Sequence, residues 1–331
     1  MAITEHQIRP AQFNEAKART VAEDLQYLLD RRDQFVRSSC PACDAAGKPL
    51  FTKKGIEYSQ CPQCRTVFVD PRPSEQLLHE FYAQSKVYEF WNKYIFPASE
   101  DARRKKIFAP RVQRMMDICR QHAVKTDVLL EVGAGFGTFC EEARAVGGFK
   151  QILAVEPTPH LAETCRQRGL TVFETPVEKL DLAEESVDVI ASFETVEHLY
   201  CPRNFLVACR RYLRPGGLIV LSVPNYYGFD ILALRELSNS IDHEHLNYFN
   251  PRSLPLLLER CGYRVIDTQT PGELDADIVR NKVIDGVTDL PGQDFLRHIL
   301  VDRWDDVGSA FQQFLRDHML SSHMWVTARK S

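Results

Sequence analysis

The chain has 331 residues, 44% hydrophobic and 26% charged, enough for one large domain with an accessory module or for two domains. A formal net charge of −4 argues against a broadly basic nucleic-acid-binding surface, and no apolar run is long enough to span a bilayer. The N-terminus, MAITEHQIRP, lacks the basic-then-apolar pattern of a secretory leader, which predicts a soluble, cytoplasmic protein.

In chain order, residues 1–38 predict a helical lead-in, because AEDLQYLLDRRDQF places apolar residues near helical spacing. Residues 39–72 carry four of the ten cysteines as two Cys-x-x-Cys pairs, Cys40/Cys43 and Cys61/Cys64, with short strand-like pieces between and after them. Each pair can offer two thiolates to one metal ion, and two pairs complete a tetrahedral set. The expectation is a structural zinc ribbon with no open coordination position. The other six cysteines are scattered, as small buried apolar residues are in a reducing compartment. Residues 73–125 predict a helical connector. Its aromatic stretch, residues 81–96, is read as filling the join between ribbon and main domain, with a lid over a binding site as the other reading.

From residue 126 the rhythm changes to strands alternating with helices: VLLEV, QILAVE, LTVFE, VDVIASF and LIVLSV, with TFCEEARAV, PHLAETCRQRG and RNFLVACRRYLRPGG between them. That alternation predicts an α/β domain over 126–331 with a mainly parallel sheet. NPRSLPLLLERCG adds a helix and YRVIDTQ a strand. A helical insertion is expected over 272–320, followed by HMWVTARK as a hairpin partner for YRVIDTQ.

The segment after the first of these strands reads Glu131-Val-Gly133-Ala134-Gly135-Phe-Gly137, a GxGxG loop rather than the GxGxxG of a dinucleotide site. Such a loop lets a ligand approach the backbone closely. Glu131 offers a carboxylate to a cation there, and Glu156, at the end of the next strand, is placed for a ribose diol.

With EVGAGFG, AVEP, VDVIASFETVEHL and LRPGG in this order, the chain resembles the class I S-adenosylmethionine-dependent methyltransferases over residues 110–270. The resemblance implies a Rossmann-like seven-stranded fold. It also implies that Glu131, Gly133, Ala134, Gly135 and Gly137 surround the methionine part of the cofactor. Glu156 would then hold the ribose, the main chain near Val177 the adenine, and Glu194 the cofactor side of the next strand end. Pro176 stands where many members carry Asp.

Two places offer a general base. His198 follows the fourth strand, at the carboxyl edge where open α/β sheets bind ligands. The second place is the stretch SIDHEHLNYF, residues 240–249, after the fifth strand. A four-cysteine module ahead of such a domain, together with HEHLNYFN, resembles the sugar C-methyltransferases and related methyltransferases of polysaccharide clusters. In that resemblance Glu244 and His245 belong to the active site, and Asp242 replaces a tyrosine. Other readings of the stretch are a solvent loop, a helix cap, and metal ligation by Asp242, His243 and His245. The expected partner is therefore a small-molecule sugar, nucleotide-sugar or glycan-precursor acceptor, methylated on carbon, oxygen or nitrogen with His245 or His198 as base. The alternatives are methylation of another small molecule or of RNA, and a pocket that binds the cofactor without turnover.

Overall fold

The computed structural model describes residues 4–331; residues 1–3, the start of the expected lead-in, lie outside the described residues. The lead-in is helical over Asn14–Leu29. Its predicted continuation is instead a short turn, Arg32–Gln34, running into strand β1, Phe35–Val36. The cysteine segment forms β2 (Lys48–Lys53), β3 (Ile56–Gln60) and β4 (Val67–Val69), paired antiparallel in sequence. β5 (Arg72–Pro73) closes the segment by pairing with β1.

The connector runs helically without a break from Lys86 to Gln121, through two wide π turns at Trp91–Ile95 and Arg104–Phe108. Each π turn lies just before a proline, Pro97 or Pro110. Proline has no N–H to give and clashes with the carbonyl one turn back, and the wider turn absorbs both effects. Arg104 then reaches Glu141 at 2.7 Å and Glu142 at 2.6 Å, while Arg168 reaches Glu100 at 2.6 Å and Glu141 at 2.7 Å. This network seats the connector on the helix Thr138–Val146.

The main sheet comprises β6 (Val128–Val132), β7 (Gln151–Val155), β8 (Thr171–Phe173), β9 (Val187–Phe193) and β10 (Leu213–Pro224). After β11 (Asn247–Tyr248), which lies elsewhere, β12 (Tyr263–Gln269) and β13 (His323–Lys330) complete it. The order is β12-β13-β10-β9-β6-β7-β8. Four pairings are parallel, and the two that β13 makes are antiparallel, so the sheet is a mixed one of seven strands. Every residue of β9 is buried, which is why VDVIASF reads as an unbroken apolar run: helices cover both faces of a central strand. The faces alternate, with Leu130, Val132 and Ile190 in one core and Leu129, Val189, Ala191 and Phe193 in the other. HMWVTARK does pair with YRVIDTQ, but it inserts between β12 and β10 rather than adding at an edge.

β11 is the strand that joins the two parts of the chain. It pairs antiparallel with β4, Asn247 opposite Phe68 and Tyr248 opposite Val67. The last residues of the SIDHEHLNYF stretch are thus the fourth strand of the sheet that the cysteine segment builds. Among the described residues no helix is long and apolar enough to cross a membrane.

Candidate active site

A cleft of 2520 Å³ lies at the carboxyl ends of the parallel strands, between the sheet, the connector and the 240–245 loop. On one side stands the glycine loop. Gly133 (φ 81°), Gly135 (φ 53°) and Gly137 (φ 72°) all occupy the left-handed region. The surroundings separate their roles. A Cβ on Gly133 would meet Thr195 Oγ1 at 2.5 Å, and one on Gly137 would meet Leu170 Cδ1 at 2.5 Å, whereas one on Gly135 would meet nothing within 4 Å. Gly135 therefore presents bare backbone to the cleft. Gly137 lets the following helix settle against Cys165 and Leu170. Ala134 lines the cleft and donates its N–H to the Val155 carbonyl at 3.1 Å.

Two buried carboxyls, Glu131 and Glu156, and the more exposed Glu194 flank this loop. Glu156 accepts the Gly135 N–H at 2.8 Å and the Thr158 N–H at 2.9 Å, so it shapes the loop as well as facing the cleft; burial pushes its carboxyl up. Glu131 receives the Cys140 thiol, at 3.0 Å, and burial raises it to about 8. An empty cleft thus favours its neutral form, and an arriving cation would favour the charged one. Glu194 sits at φ 51°, an uncommon conformation for a residue with a side chain. Partial desolvation by the surrounding protein works against its charge, but His323 at 3.1 Å, Arg111 at 3.3 Å and the Ser222 hydroxyl at 2.6 Å outweigh it and hold the carboxyl low. Near the expected adenine side, Val177 is buried in the core, while its neighbours Pro176, Glu178 and Lys179 line the cleft.

On the opposite side His198 and His245 meet, their ring centroids 4.6 Å apart. His198 belongs to a short turn, Val196–His198, after β9; His245 comes from the loop after β10. Each ring donates its Nδ1–H to a backbone carbonyl: His198 to Glu244 at 3.1 Å, His245 to Ser240 at 3.0 Å. Both Nε2 atoms are left as acceptors. Burial, then the neighbouring His245, drives the His198 imidazole down to about 3, so it is neutral.

The other residues of the stretch divide differently from expectation. The Glu244 carboxylate groups with Asp24 and His243 rather than with the histidine pair, and it is the Glu244 carbonyl that orients His198. His243 is buried edge-on against Phe81. Asp242 accepts the N–H groups of Glu244 and His245, both at 3.0 Å, forming the turn that aims His245.

Several contributors are not singled out as site residues in the sequence. Asn247 donates to the carbonyl of Leu199 at 2.7 Å and to that of Glu197 at 3.3 Å, and Arg72 donates to Asn247 Oδ1 at 3.4 Å. The cysteine segment thereby fixes the His198 turn through β11. Tyr82 donates to the carbonyls of His198 and Glu244 at 3.3 and 3.4 Å, and Tyr88 stands edge-on to His198. Tyr82, Tyr88, Trp91 and Phe96 all line the cleft, so the aromatic stretch covers the site as well as filling the join. His323 and Arg111 lie far from Glu194 in sequence and meet it only through the insertion of β13 and the run of the connector.

The four cysteines of the ribbon segment bring their Sγ atoms within 4.8 Å of one another, with Cys40–Cys64 and Cys43–Cys61 both at 3.4 Å. Zn–S bonds of about 2.3 Å in a tetrahedron separate sulfurs by roughly 3.8 Å, so the set fits one such ion. The two knuckles match in detail. Asp44 and Arg65 each follow the second cysteine, each at φ 64°, with Cys40 N–H donating to Ala45 and Cys61 N–H to Thr66, both at 2.9 Å.

Over residues 100–268 the chain matches the family described as a methyltransferase domain. A protein of Mycolicibacterium smegmatis named "Probable S-adenosylmethionine-dependent methyltransferase" is 32% identical over 139 residues, 39% of this chain and 52% of that one. A "Ubiquinone biosynthesis O-methyltransferase" of Cereibacter sphaeroides is 29% identical over 152 residues, 42% of this chain and 61% of that one. The chain thus spans between half and two thirds of the length of these curated relatives. A solved structure of an S-adenosylmethionine-dependent methyltransferase from Archaeoglobus fulgidus shares the fold, with a TM-score of 0.50 at 19% identity over 72% of this chain and all of that one.

Proposed function

The chain belongs to the methyltransferase-domain family, and from that premise we propose that it transfers the methyl group of S-adenosylmethionine to a sugar, nucleotide-sugar or glycan precursor. The observation that carries this reading is the facing arrangement of two half-sites across one cleft. Bare backbone at Gly135, with Glu131 and Glu156, stands on one side; the His198–His245 pair, with both Nε2 atoms free to accept, stands on the other. Glu131 would face the sulfonium and ammonium end of the cofactor, Glu156 the ribose, and the turn after Pro176 the adenine. The cofactor supplies an activated methyl group, so the protein has to align the acceptor and take its proton. His198 or His245 accepts that proton at Nε2.

The acceptor half supports a polar, polyhydroxylated partner. Asn14, Lys17, Lys54 and Lys86 offer donors for hydroxyl and phosphate groups, and Tyr82 and Tyr88 offer aromatic faces. Four cysteines at metal-ligand spacing support a structural zinc ion whose part is to hold β4 and, through it, β11.

The test is methyl transfer from labelled S-adenosylmethionine to a panel of nucleotide sugars, with calorimetry of S-adenosylhomocysteine alongside. His198→Ala and His245→Ala should each lower turnover at least about 100-fold while binding S-adenosylhomocysteine as the parent does. A parent protein that bound no S-adenosylhomocysteine would end the methyltransferase reading. Unchanged turnover in both variants would remove the histidines from the chemistry.

A further inference from the structure

Glu197, beside the histidine pair, is 1% exposed, and neither carboxylate oxygen has a hydrogen-bond partner. It lines the cleft, with Oε1 4.0 Å from His198 Nε2. A buried carboxylate without a donor is costly unless it is protonated or meets a cation, and among the described residues none supplies that donor. The two imidazoles beside it are arranged as metal ligands are. Each has its Nδ1–H fixed on a backbone carbonyl, which sets the tautomer and turns the Nε2 lone pair outward. One donor atom from each of Glu197, His198 and His245 lies within 4.8 Å of the other two. Donors about 2.1 Å from a shared ion stand roughly 3–4 Å apart, so small side-chain adjustments close the set.

We propose that Glu197, His198 and His245 form a divalent-cation site on the acceptor side of the cleft, separate from the four cysteines. Two histidines and one carboxylate suit a first-row ion such as Mn2+, Co2+ or Zn2+ and leave coordination positions open towards the cleft. This deepens the methyltransferase reading and rests on it for the identity of the acceptor. With the ion in place both Nε2 lone pairs are engaged, so the ion replaces the histidines as the group that draws off the acceptor's proton, and its open positions take oxygens of the acceptor, two adjacent hydroxyls or a hydroxyl beside a carbonyl. A hydroxyl bound there becomes more acidic and releases its proton to solvent. Its oxygen then forms the new C–O bond as the S–CH3 bond breaks and the bonding pair stays on sulfur. The products are a methyl ether, S-adenosylhomocysteine and one proton. A second group of potential ligands is Asp24 with His243 and Glu244, where His243 Nε2 and one Glu244 oxygen are also without partners. The Asp24 carboxylate is already satisfied by the Ser85 hydroxyl at 2.6 Å and by the N–H groups of Lys86 and Val87.

The experiment adds Mn2+ and, separately, Co2+ to the full chain carrying one equivalent of zinc, which the four thiolates take first, with bound ion read by electron paramagnetic resonance and calorimetry. Hard Mn2+ does not compete for a thiolate set. One ion per chain is expected, with binding weakened at least tenfold in Glu197→Gln and in His245→Ala. S-adenosylhomocysteine affinity in both variants reports that they are folded. No ion bound by the parent, or undiminished binding in the folded Glu197→Gln protein, overturns the proposal. S-adenosylhomocysteine binding without cation binding leaves the methyltransferase reading standing and removes the metal. Cation binding without S-adenosylhomocysteine binding does the reverse.

Discussion

At the scale of single residues, the three loop glycines illustrate how one motif holds different jobs. Gly137→Ala would set a left-handed alanine against Leu170 and Cys165, costing about 2–4 kcal/mol. A lowered thermal midpoint should report it. Gly135→Ala meets no atom within 4 Å, so about 1 kcal/mol of backbone strain is expected, with S-adenosylhomocysteine affinity falling about tenfold or more because the methyl group occupies the approach to the backbone. Calorimetry against melting separates the two outcomes. Glu131 carries a pH signature. Burial raises its folded-state pKa from 4.5 to about 8, so between those values the folded chain keeps a proton that the unfolded chain releases. Stability falls as pH rises through that window, by at most about 1.4 kcal/mol per pH unit from this group. Urea midpoints at pH 5 and pH 8 should therefore converge for Glu131→Gln relative to the parent. The glycines, Glu156 and the histidines were legible in the sequence because each follows a strand in a fixed order. That only Gly135 lies open was not, since it depends on Thr195, Leu170 and Cys165 arriving from elsewhere.

Among the elements, β11 and the turn Val196–His198 depend on one another. Asn247 holds the turn's carbonyls from a strand that is itself held by β4. Asn247→Ala leaves the Leu199 carbonyl without its donor, while the Glu197 carbonyl keeps the Leu246 N–H, at a cost of about 1–3 kcal/mol. It should reduce kcat with little change in S-adenosylhomocysteine affinity, because the glycine loop is untouched. Equal losses of both would mean that the turn is not mechanically separate from the cofactor side. Strands buried on both faces, such as VDVIASF, announced themselves as apolar runs. A two-residue strand has no periodicity to read, and NY at 247–248 looked like loop. The predicted helix RNFLVACRRYLRPGG likewise stops at Tyr212, and Leu213 already pairs with Val187 of β9. Tertiary pairing overrides the glycine stop there.

Across the whole molecule, the cysteine segment and the sheet domain share a continuous interior. Cys40, Ala42, Cys61, Cys64 and Phe68 pack in one core with Leu254, Leu257 and Phe249. Arg260 holds the first knuckle through an ion pair with Asp44, and Asn250 donates to the Cys64 carbonyl at 3.1 Å. Stripping the proposed zinc from the cysteines, or changing Cys61 to Ser, should therefore lower turnover much more than S-adenosylhomocysteine affinity. Hydrogen exchange should rise in residues 238–250 as well as in 39–72. Exchange confined to 39–72 would show that the knuckles do not support the histidine loop. The sequence divides the chain at residues 72 and 125 because composition and cysteine spacing change there. Contacts between Lys53 and the carbonyls of Ser238 and Ile241 leave no such mark, since neither partner has a distinctive residue type.

The strand shared between β4 and residues 247–248 also constrains how such a protein can be recombined. A chimaera that exchanges residues 35–73 alone inherits one half of a hydrogen-bonded ladder and a foreign partner for the other. Exchanging 35–73 together with 238–250 transfers both halves of the ladder, while the glycine loop stays with its host. Two distant stretches of chain then form one structural unit, and variation in one is expected to be tolerated only alongside matching variation in the other.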